Sequence, residues 1–430
     1  MITNLFDPKT RKKRKRFLFS ALFAGFSTFG VVLLGALLRA GYQYIGDGEI
    51  FVFRDNLLSF LTILAICYLA GLSWCAFSMK LPRYDYIGRI VAINIFIYSL
   101  LGLSLSWLRI PLYSRTLVLS EFILSTILIL LFIYLRNRLF PAVIGTFSTA
   151  PHSPIGAARY LKWVKLEKIT TNVPHLDAVA SEPGPDADPE QMQLIADLSQ
   201  KGVTVFDRRH LETLLTGRIK LDELSLNEFD NFSPQNLYTP IKRILDIVIT
   251  LLMAPFLILI TLIVAFLVRA DSHGPIFFCQ ERVGFRGKRF TLYKFRSMYM
   301  SEASSRTQFA EKDDARITRI GRLLRTTRLD ELPQFWNVLK GDMSIIGPRP
   351  EQIEFADRFS RVIPYYGFRH TVYPGITGWA QTMHGYAANE HQTREKLEYD
   401  FFYLRNFSVW LDLIICFRTL EVLALRKGAR

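Results

Sequence analysis

Five apolar stretches, each about as long as a bilayer is thick, limit this chain more than any other feature. They cover 17–38, 57–79, 90–108, 116–135 and 244–268. A helix needs about 20 apolar residues to cross a hydrocarbon core of roughly 30 Å. The composition agrees: half of the 430 residues are hydrophobic and the mean hydropathy is +0.19, which points to a membrane protein. The net charge of +15 then implies contact with anionic lipid or phosphate rather than nucleic acid. Four cysteines, Cys67, Cys75, Cys279 and Cys416, are scattered without CxxC spacing. That excludes a zinc site or a disulfide framework.

The first four stretches form an expected four-helix transmembrane bundle over 1–136. Lys9 and the run Arg11 to Arg16 precede the first stretch, which is too long for a signal segment and has no clear cleavage site after it. The loop at 80–89 holds Lys80, Arg83 and Arg89. The loops at 39–56 and 109–115 hold only Arg39, Arg54, Arg109 and Arg115. Positive charge stays inside, so both ends of the bundle are expected in the cytoplasm. Glu121, near one end of the fourth stretch, is expected at the interface.

From 137 to 236 the composition becomes soluble. Residues 142–147, 176–181 and 203–207 read as strands, and 191–200 and 209–217 as helices, giving a small α/β domain. The segment Val143 to Ser148 lacks GxGxxG, so no dinucleotide site is expected. The acidic, proline-rich 181–190 is a surface loop.

The chemistry lies in 237–430. Asp330 and Glu331 stand just ahead of Pro333, which suits the first turn of a helix. Phe335, Trp336, Val338 and Leu339 supply an expected buried face, and Gly341 a stop. The two carboxylates then sit at the positive end of a helix, where anions are favoured. Arg316, Arg319, Arg322, Arg325 and Arg328 crowd the approach, and Arg349 follows. Arginines that hold phosphate oxygens, beside a carboxylate that attacks phosphorus or holds a metal, are what phosphoryl transfer requires. Taken alone, the acidic pair is also a helix cap and the arginines also a solvated basic face. Lys294 and Arg296, two apart on a predicted strand, point to one side and suit a shared phosphate. Asp313-Asp314 reads as a cap in preference to metal ligands, and His370, His384 and His391 have no ligand spacing. Phe407, Trp410, Leu411, Ile414, Ile415 and Arg418 mark an amphipathic helix, core-packed or interfacial, ahead of a basic tail at 426–430.

Four blocks occur in order: Gln280-Glu-Arg282-Val-Gly284, Lys294-Phe-Arg296-Ser-Met298, Asp330-Glu-Leu-Pro-Gln334 and Gly347-Pro-Arg-Pro350. A basic pair, Lys242-Arg243, opens the hydrophobic stretch before them, and Pro374 to Gln381 follows. From about Lys242 to the C-terminus the chain resembles the bacterial polyprenyl-phosphate sugar-1-phosphate transferases, the monotopic phosphoglycosyl transferases. The resemblance implies an α+β monotopic catalytic domain, and a Rossmann-like middle module that is degenerate here. It implies transfer of a hexose 1-phosphate from a nucleotide diphosphate sugar to polyprenyl phosphate, starting a lipid-linked polysaccharide. It places the nucleophile on Asp330 and a share of Mg²⁺ on Glu331. Gln280 and Arg282 join the donor-side wall, and Arg325 and Arg349 are the favoured phosphate contacts. Glu398, Asp400 and Asp412 match the C-terminal block. The enzyme is expected on the bacterial inner membrane, among its lipids, with the catalytic domain cytoplasmic; a homodimer is consistent with the longer members. Direct in-line transfer stays open, as does a non-catalytic scaffold, which gives no reason for Asp330, Glu331 and Arg349 to occur together.

The fifth stretch is long enough to span. Yet basic residues flank both ends, Lys242-Arg243 and Arg269, and Pro255 stands at its centre. Ala254 takes the place of the Ser often found there in the family. A crossing would also put Asp330 on the side away from nucleotide sugars. The expectation is a re-entrant helix over about 241–269, broken at Pro255.

Overall fold

The structure, a computed structural model, describes residues 15–16, 18–30, 33, 57–78, 86–107, 115–147, 161–166, 176–181, 189–224, 238–299, 316–384 and 390–424. The expectations for Lys9 to Arg14, for most loop charges of the bundle, for 182–188, for Asp313-Asp314 and for 426–430 lie outside these residues. Two compact units form, Met1–Gly217 and Arg218–Arg430.

In the first unit, helices α1 (Leu18–Gly30), α2 (Leu57–Ser78), α3 (Tyr86–Trp107) and α4 (Arg115–Leu139) pack together. Tyr68, Leu72, Ile90, Ile93, Ile129, Phe132 and Ile133 make the core, with Phe19 and Phe23 against it. Leu22, Phe26 and Phe29 point outward and are exposed. Helices apolar on both faces belong in lipid. Among the described residues α4 is long and apolar enough to cross a membrane, and α1 is a shorter apolar helix. Glu121 is buried between helices of the bundle. It lies on α4 one turn before Ser125, on the side where Asn94 of α3 approaches Ser125 Oγ at 3.5 Å.

The same unit carries a four-stranded parallel sheet. Its strands are β1 (Ala142–Thr146), β2 (Leu161–Lys165), β3 (Ala178–Ser181) and β4 (Thr204–Asp207), in the order β2-β1-β3-β4. Helix α5 (Pro189–Gln200) sets Leu198 against Val179, and α6 (Arg208–Thr216) sets Leu211 and Leu215 against Ile144 and Ala178. The two faces are thus each covered, as parallel sheets require. Asp207 caps α6 by accepting from the Arg209 N–H at 2.7 Å. The sequence gives no sign of β2, because Lys162 and Lys165 interrupt its apolar residues. Both face solvent on an edge strand, where lysines discourage further pairing. Arg16, just ahead of α1, pairs with Asp177 at 2.7 Å and donates to the Phe140 carbonyl at 3.1 Å.

The second unit starts ahead of the expected 236/237 boundary. The Ile219 N–H donates to the Glu398 carbonyl at 3.1 Å, which draws 218–224 into the catalytic fold. Its first large element is α7 (Tyr238–Asp271), followed by the antiparallel hairpin β5 (Phe277–Val283) and β6 (Arg289–Phe295). Next come α8 (Arg319–Thr327), α9 (Gln334–Lys340), β7 (Ser344–Ile346) and α10 (Ile353–Val362). Strand β8 (Gly375–Thr377) pairs in parallel with β7, and α11 (Trp379–Met383), α12 (Glu390–Arg405) and α13 (Val409–Ala424) complete the unit. Helix α13 combines both readings of its sequence. Leu411, Ile414 and Ile415 are buried, Trp410 is exposed, and Arg418 lies 5.5 Å above the Trp379 ring.

Helix α7 runs 34 residues with Pro255 inside it, where the sequence suggests a break. The expected break is not seen: the helix is continuous through Pro255, because a proline inside a helix removes one N–H and its hydrogen bond while the turns on either side keep theirs. Its middle is apolar and exposed, with Leu252 at 73% and Phe256 at 71%. Its ends are held. Lys242 pairs with Asp412 at 2.5 Å, and Arg243 donates to the Val338 and Leu339 carbonyls at 2.7 and 3.2 Å. At the far end Val264 and Val268 pack on Phe295 and Leu324, and Asp271 accepts from the Ile320 N–H at 3.1 Å.

Candidate active site

Asp330 and Glu331 lie in a short 3-10 turn, Leu329–Glu331, between α8 and α9. Thr318 caps α8, its hydroxyl accepting from the Gly321 N–H at 2.8 Å. Arg328 ends α8 in the left-handed region at φ 55°. That conformation is costly for a residue with a Cβ and recurs at functional sites. It turns the chain so that Leu329 and Leu332 enter the core beside Val268 and Phe295. The two carboxylates between them face the other way. Helix α9 then locks onto β6 through Asn337, whose amide donates to Thr291 O at 2.7 Å and accepts from Tyr293 N–H at 3.2 Å. Gly341, at φ 97°, stops it. The buried face of α9 is Gln334, Asn337 and Val338. Trp336, expected inside, is 61% exposed, because the helix turns its i, i+3, i+4 residues inward and leaves position 336 outside.

The pair is asymmetric. Glu331 is buried and bound by Arg349, with Nη2 to Oε1 at 2.7 Å. Asp330 has no hydrogen bond or ion pair among the described residues. Burial by itself would push Glu331 up, but the Arg349 guanidinium, helped by Lys294, holds it well below the usual carboxylate range. Asp330 moves the other way: burial and the Glu331 charge raise it, opposed by Lys294, Arg349 and Arg325. Lys294, on β6, is pushed down to about 8 by burial and by Arg349 and Arg282. These shifts mark one electrostatic cluster of Lys294, Arg325, Asp330, Glu331 and Arg349, with Arg282 beside it.

The other sequence candidates are distributed around this cluster. Arg282 donates to Gln280 Oε1 at 2.6 Å and to the Pro350 carbonyl at 3.1 Å, so it supports the segment carrying Arg349. Arg325 Nε donates to Ser297 Oγ at 2.9 Å. Arg296 points elsewhere: it donates to the Ser272 carbonyl at 2.7 Å and ties β6 to the end of α7. His384 contacts Glu395 at 3.0 Å. No group of three His, Cys, Asp or Glu side chains converges among the described residues. Magnesium commonly takes one or two protein carboxylates together with substrate phosphates. Glu331, with one oxygen on Arg349, fits that pattern.

Of a second set of charges, the sequence reading names Asp400 alone. Glu351 pairs with Lys396 at 2.6 Å and Arg369 at 3.5 Å, and Arg369 pairs with Asp400 at 2.9 Å. Arg369 also donates to the Arg349 carbonyl at 3.0 Å. The network therefore fixes the backbone from which Arg349 reaches Glu331. Close glycine packing completes the support: a Cβ on Gly378 would meet the Gly347 carbonyl at 2.1 Å.

Comparison with known proteins places this geometry. The bacterial sugar transferase family matches residues 237–426. The UDP-N-acetylgalactosamine-undecaprenyl-phosphate N-acetylgalactosaminephosphotransferase of Aeromonas hydrophila is 38% identical over 333 residues, 77% of this chain and 78% of that protein. The UDP-glucose:undecaprenyl-phosphate glucose-1-phosphate transferase of Klebsiella pneumoniae is 42% identical over 190 residues, 44% of this chain and 41% of its own length. The Escherichia coli protein of the same description is 43% identical over 183 residues, 42% of this chain and 39% of its own. With identity sustained over most of both chains in the first case and the family matched over 237–426, this chain belongs to the bacterial sugar transferase family, the polyprenyl-phosphate sugar-1-phosphate transferases.

Proposed function

We propose that the enzyme transfers a hexose 1-phosphate from a UDP-sugar to undecaprenyl phosphate through a phosphoryl-aspartate on Asp330. The asymmetry of the acidic pair carries this reading: Glu331 is clamped at 2.7 Å, and Asp330 has no hydrogen bond or ion pair among the described residues. An Asp330 oxygen attacks the phosphorus bonded to the sugar, and the bond from that phosphorus to the nucleoside monophosphate breaks, releasing UMP. An oxygen of the lipid phosphate then attacks the same phosphorus, and Asp330 leaves as a carboxylate. Lys294, Arg349 and Arg325 keep Asp330 ionised enough to act without a base. Lys294, whose amine has no partner among the described residues, and Arg349 hold phosphate oxygens. Mg²⁺, taken by Glu331 with the donor phosphates, would neutralise charge on the diphosphate. Relatives are named for UDP-glucose and UDP-N-acetylgalactosamine, which supports the donor class while the sugar varies.

The setting is the cytoplasmic face of the bacterial inner membrane, with 1–136 as a four-span bundle and α7 re-entrant. A straight helix of 34 residues is roughly 50 Å long and would leave its ends on opposite sides of the bilayer. Both ends of α7 are instead bonded within one compact unit. In a background lacking the four native cysteines, a membrane-impermeant thiol reagent should label Ile241→Cys and Asp271→Cys only from the cytoplasmic side; labelling of the second from outside would overturn this placement. The chemistry is tested by Asp330→Asn, which should abolish UMP release from a UDP-sugar even without lipid acceptor. Survival of that partial reaction would put the nucleophile elsewhere.

A further inference from the structure

Gln381 is one of the most buried polar residues near the cluster, at 7% exposure. It sits on α11, directly after the glycine-packed turn at Gly378. Its Oε1 faces two guanidinium nitrogens, Arg349 Nη1 at 3.4 Å and Arg328 Nη1 at 3.5 Å. Its Nε2 is buried and has no hydrogen-bond partner among the described residues. The two cations fix the orientation of the amide, because the opposite one would aim N–H groups at N–H groups. A buried donor without an acceptor is unfavourable and calls for an explanation. The flanking residues name the acceptor that suits it. Arg349 holds Glu331 through its other nitrogen, and Arg328 is the left-handed residue two positions before Asp330. An acceptor reaching this amide between two arginines is favoured if it is anionic.

We propose that Gln381 is a further catalytic residue, donating its N–H to a non-bridging oxygen of the phosphoryl group in transfer. The inference rests on the proposed reaction and extends it. Charge on those oxygens is spread and reoriented as the phosphorus passes between Asp330 and its partners, and a fixed neutral donor stabilises it without reorganising. Arg328 and Arg349 act on it as positioning residues.

The test uses the full-length protein in detergent and UMP release from a UDP-sugar. Two diastereomers of that donor are compared, each with sulfur replacing one non-bridging oxygen on the sugar-bearing phosphorus. Wild type should discriminate between them. Gln381→Ala should lower kcat about 100-fold, in the range for loss of one such donor, change donor KM less than about 3-fold, and narrow the diastereomer ratio, while Lys294 and Arg349 keep part of the discrimination. Gln381→Glu keeps the shape and the two arginine contacts but removes the donor. It should show the same loss of discrimination with an unchanged melting temperature, so misfolding of the alanine variant does not decide the matter. Wild-type discrimination or wild-type kcat in Gln381→Glu would overturn the proposal, and so would a kcat loss with the diastereomer ratio intact, which is the signature of a prop for Arg349. If wild type releases no UMP from any UDP-sugar, the proposed function fails instead.

Discussion

Two clusters of charge lie side by side in the catalytic unit, built from the same residue types and differing in one respect. Around Glu351, Lys396, Arg369 and Asp400, each charged group meets an opposite one at 2.6 to 3.5 Å. Around Asp330 and Lys294 the count is left open, with one carboxylate and one amine lacking hydrogen-bond or ion-pair partners among the described residues while Glu331 and Arg349 close on each other at 2.7 Å. The closed cluster holds a shape. The open one has capacity left for a ligand, and the missing partners are what a phosphorylated substrate supplies. Under the proposed chemistry, a carboxylate in a fully paired network would need to break a bond before it could attack, and Asp330 would not.

The sharpest way to break this comparison is to exchange the two kinds of loss. Asp330→Asn should cut turnover by 10⁴-fold or more, on the order seen for nucleophile removal, with the melting temperature unchanged. Arg369→Leu should do the reverse, lowering stability by about 3–5 kcal/mol because Asp400 is left buried and unpaired, as read from the unfolding midpoint. Adding Asp400→Leu to it should recover part of that loss; no recovery would mean that the pair is not the source. Glu331→Gln releases Arg349 and should lower kcat about 10²-fold, with partial rescue by excess Mg²⁺. Absence of any Mg²⁺ shift would separate Glu331 from the metal. The smallest effect concerns pH. Lys294 is charged below its pKa of about 8 and loses that charge as the pH rises through it. Donor KM should therefore climb several-fold above pH 8, and Lys294→Arg should move that limb to higher pH. A profile unchanged by the substitution would remove Lys294 from donor binding. On the acid side, activity should fall as Asp330 protonates, at a pH above the ordinary aspartate range because burial and Glu331 raise it.

Much of the open cluster is legible in the sequence because it is written in short blocks. Asp330, Glu331, Lys294 and Arg349 stand within motifs whose order carries the family. The closed cluster is illegible for a physical reason: Glu351 meets Lys396 across 45 positions, and nothing local marks either end. Neighbouring residues also mislead. Lys294 and Arg296 share a side by strand periodicity, yet Arg296 lies just past the end of β6 and turns to the carbonyl end of α7. Trp336 reads as core by its chemistry and is exposed by its phase on α9. Apolar length identifies the membrane-seeking helices, whereas β2 hides behind two lysines that suit it to a sheet edge. Gln381 stands in a quoted block, but only its orphaned nitrogen distinguishes it from an ordinary buried amide.

The anchoring of α7 has a consequence for biogenesis. Lys242 is buried against Asp412, which lies 170 positions later in the chain, and Arg243 bonds to carbonyls 95 and 96 positions later. Synthesis at about 5–20 residues per second puts Asp412 at the ribosome exit on the order of 10–30 s after Lys242. The apolar helix thus emerges long before the groups that hold its basic end exist. During that interval anionic lipid headgroups can supply counter-charge to that basic end, which would hold the apolar helix at a membrane interface while its own catalytic unit is still being made.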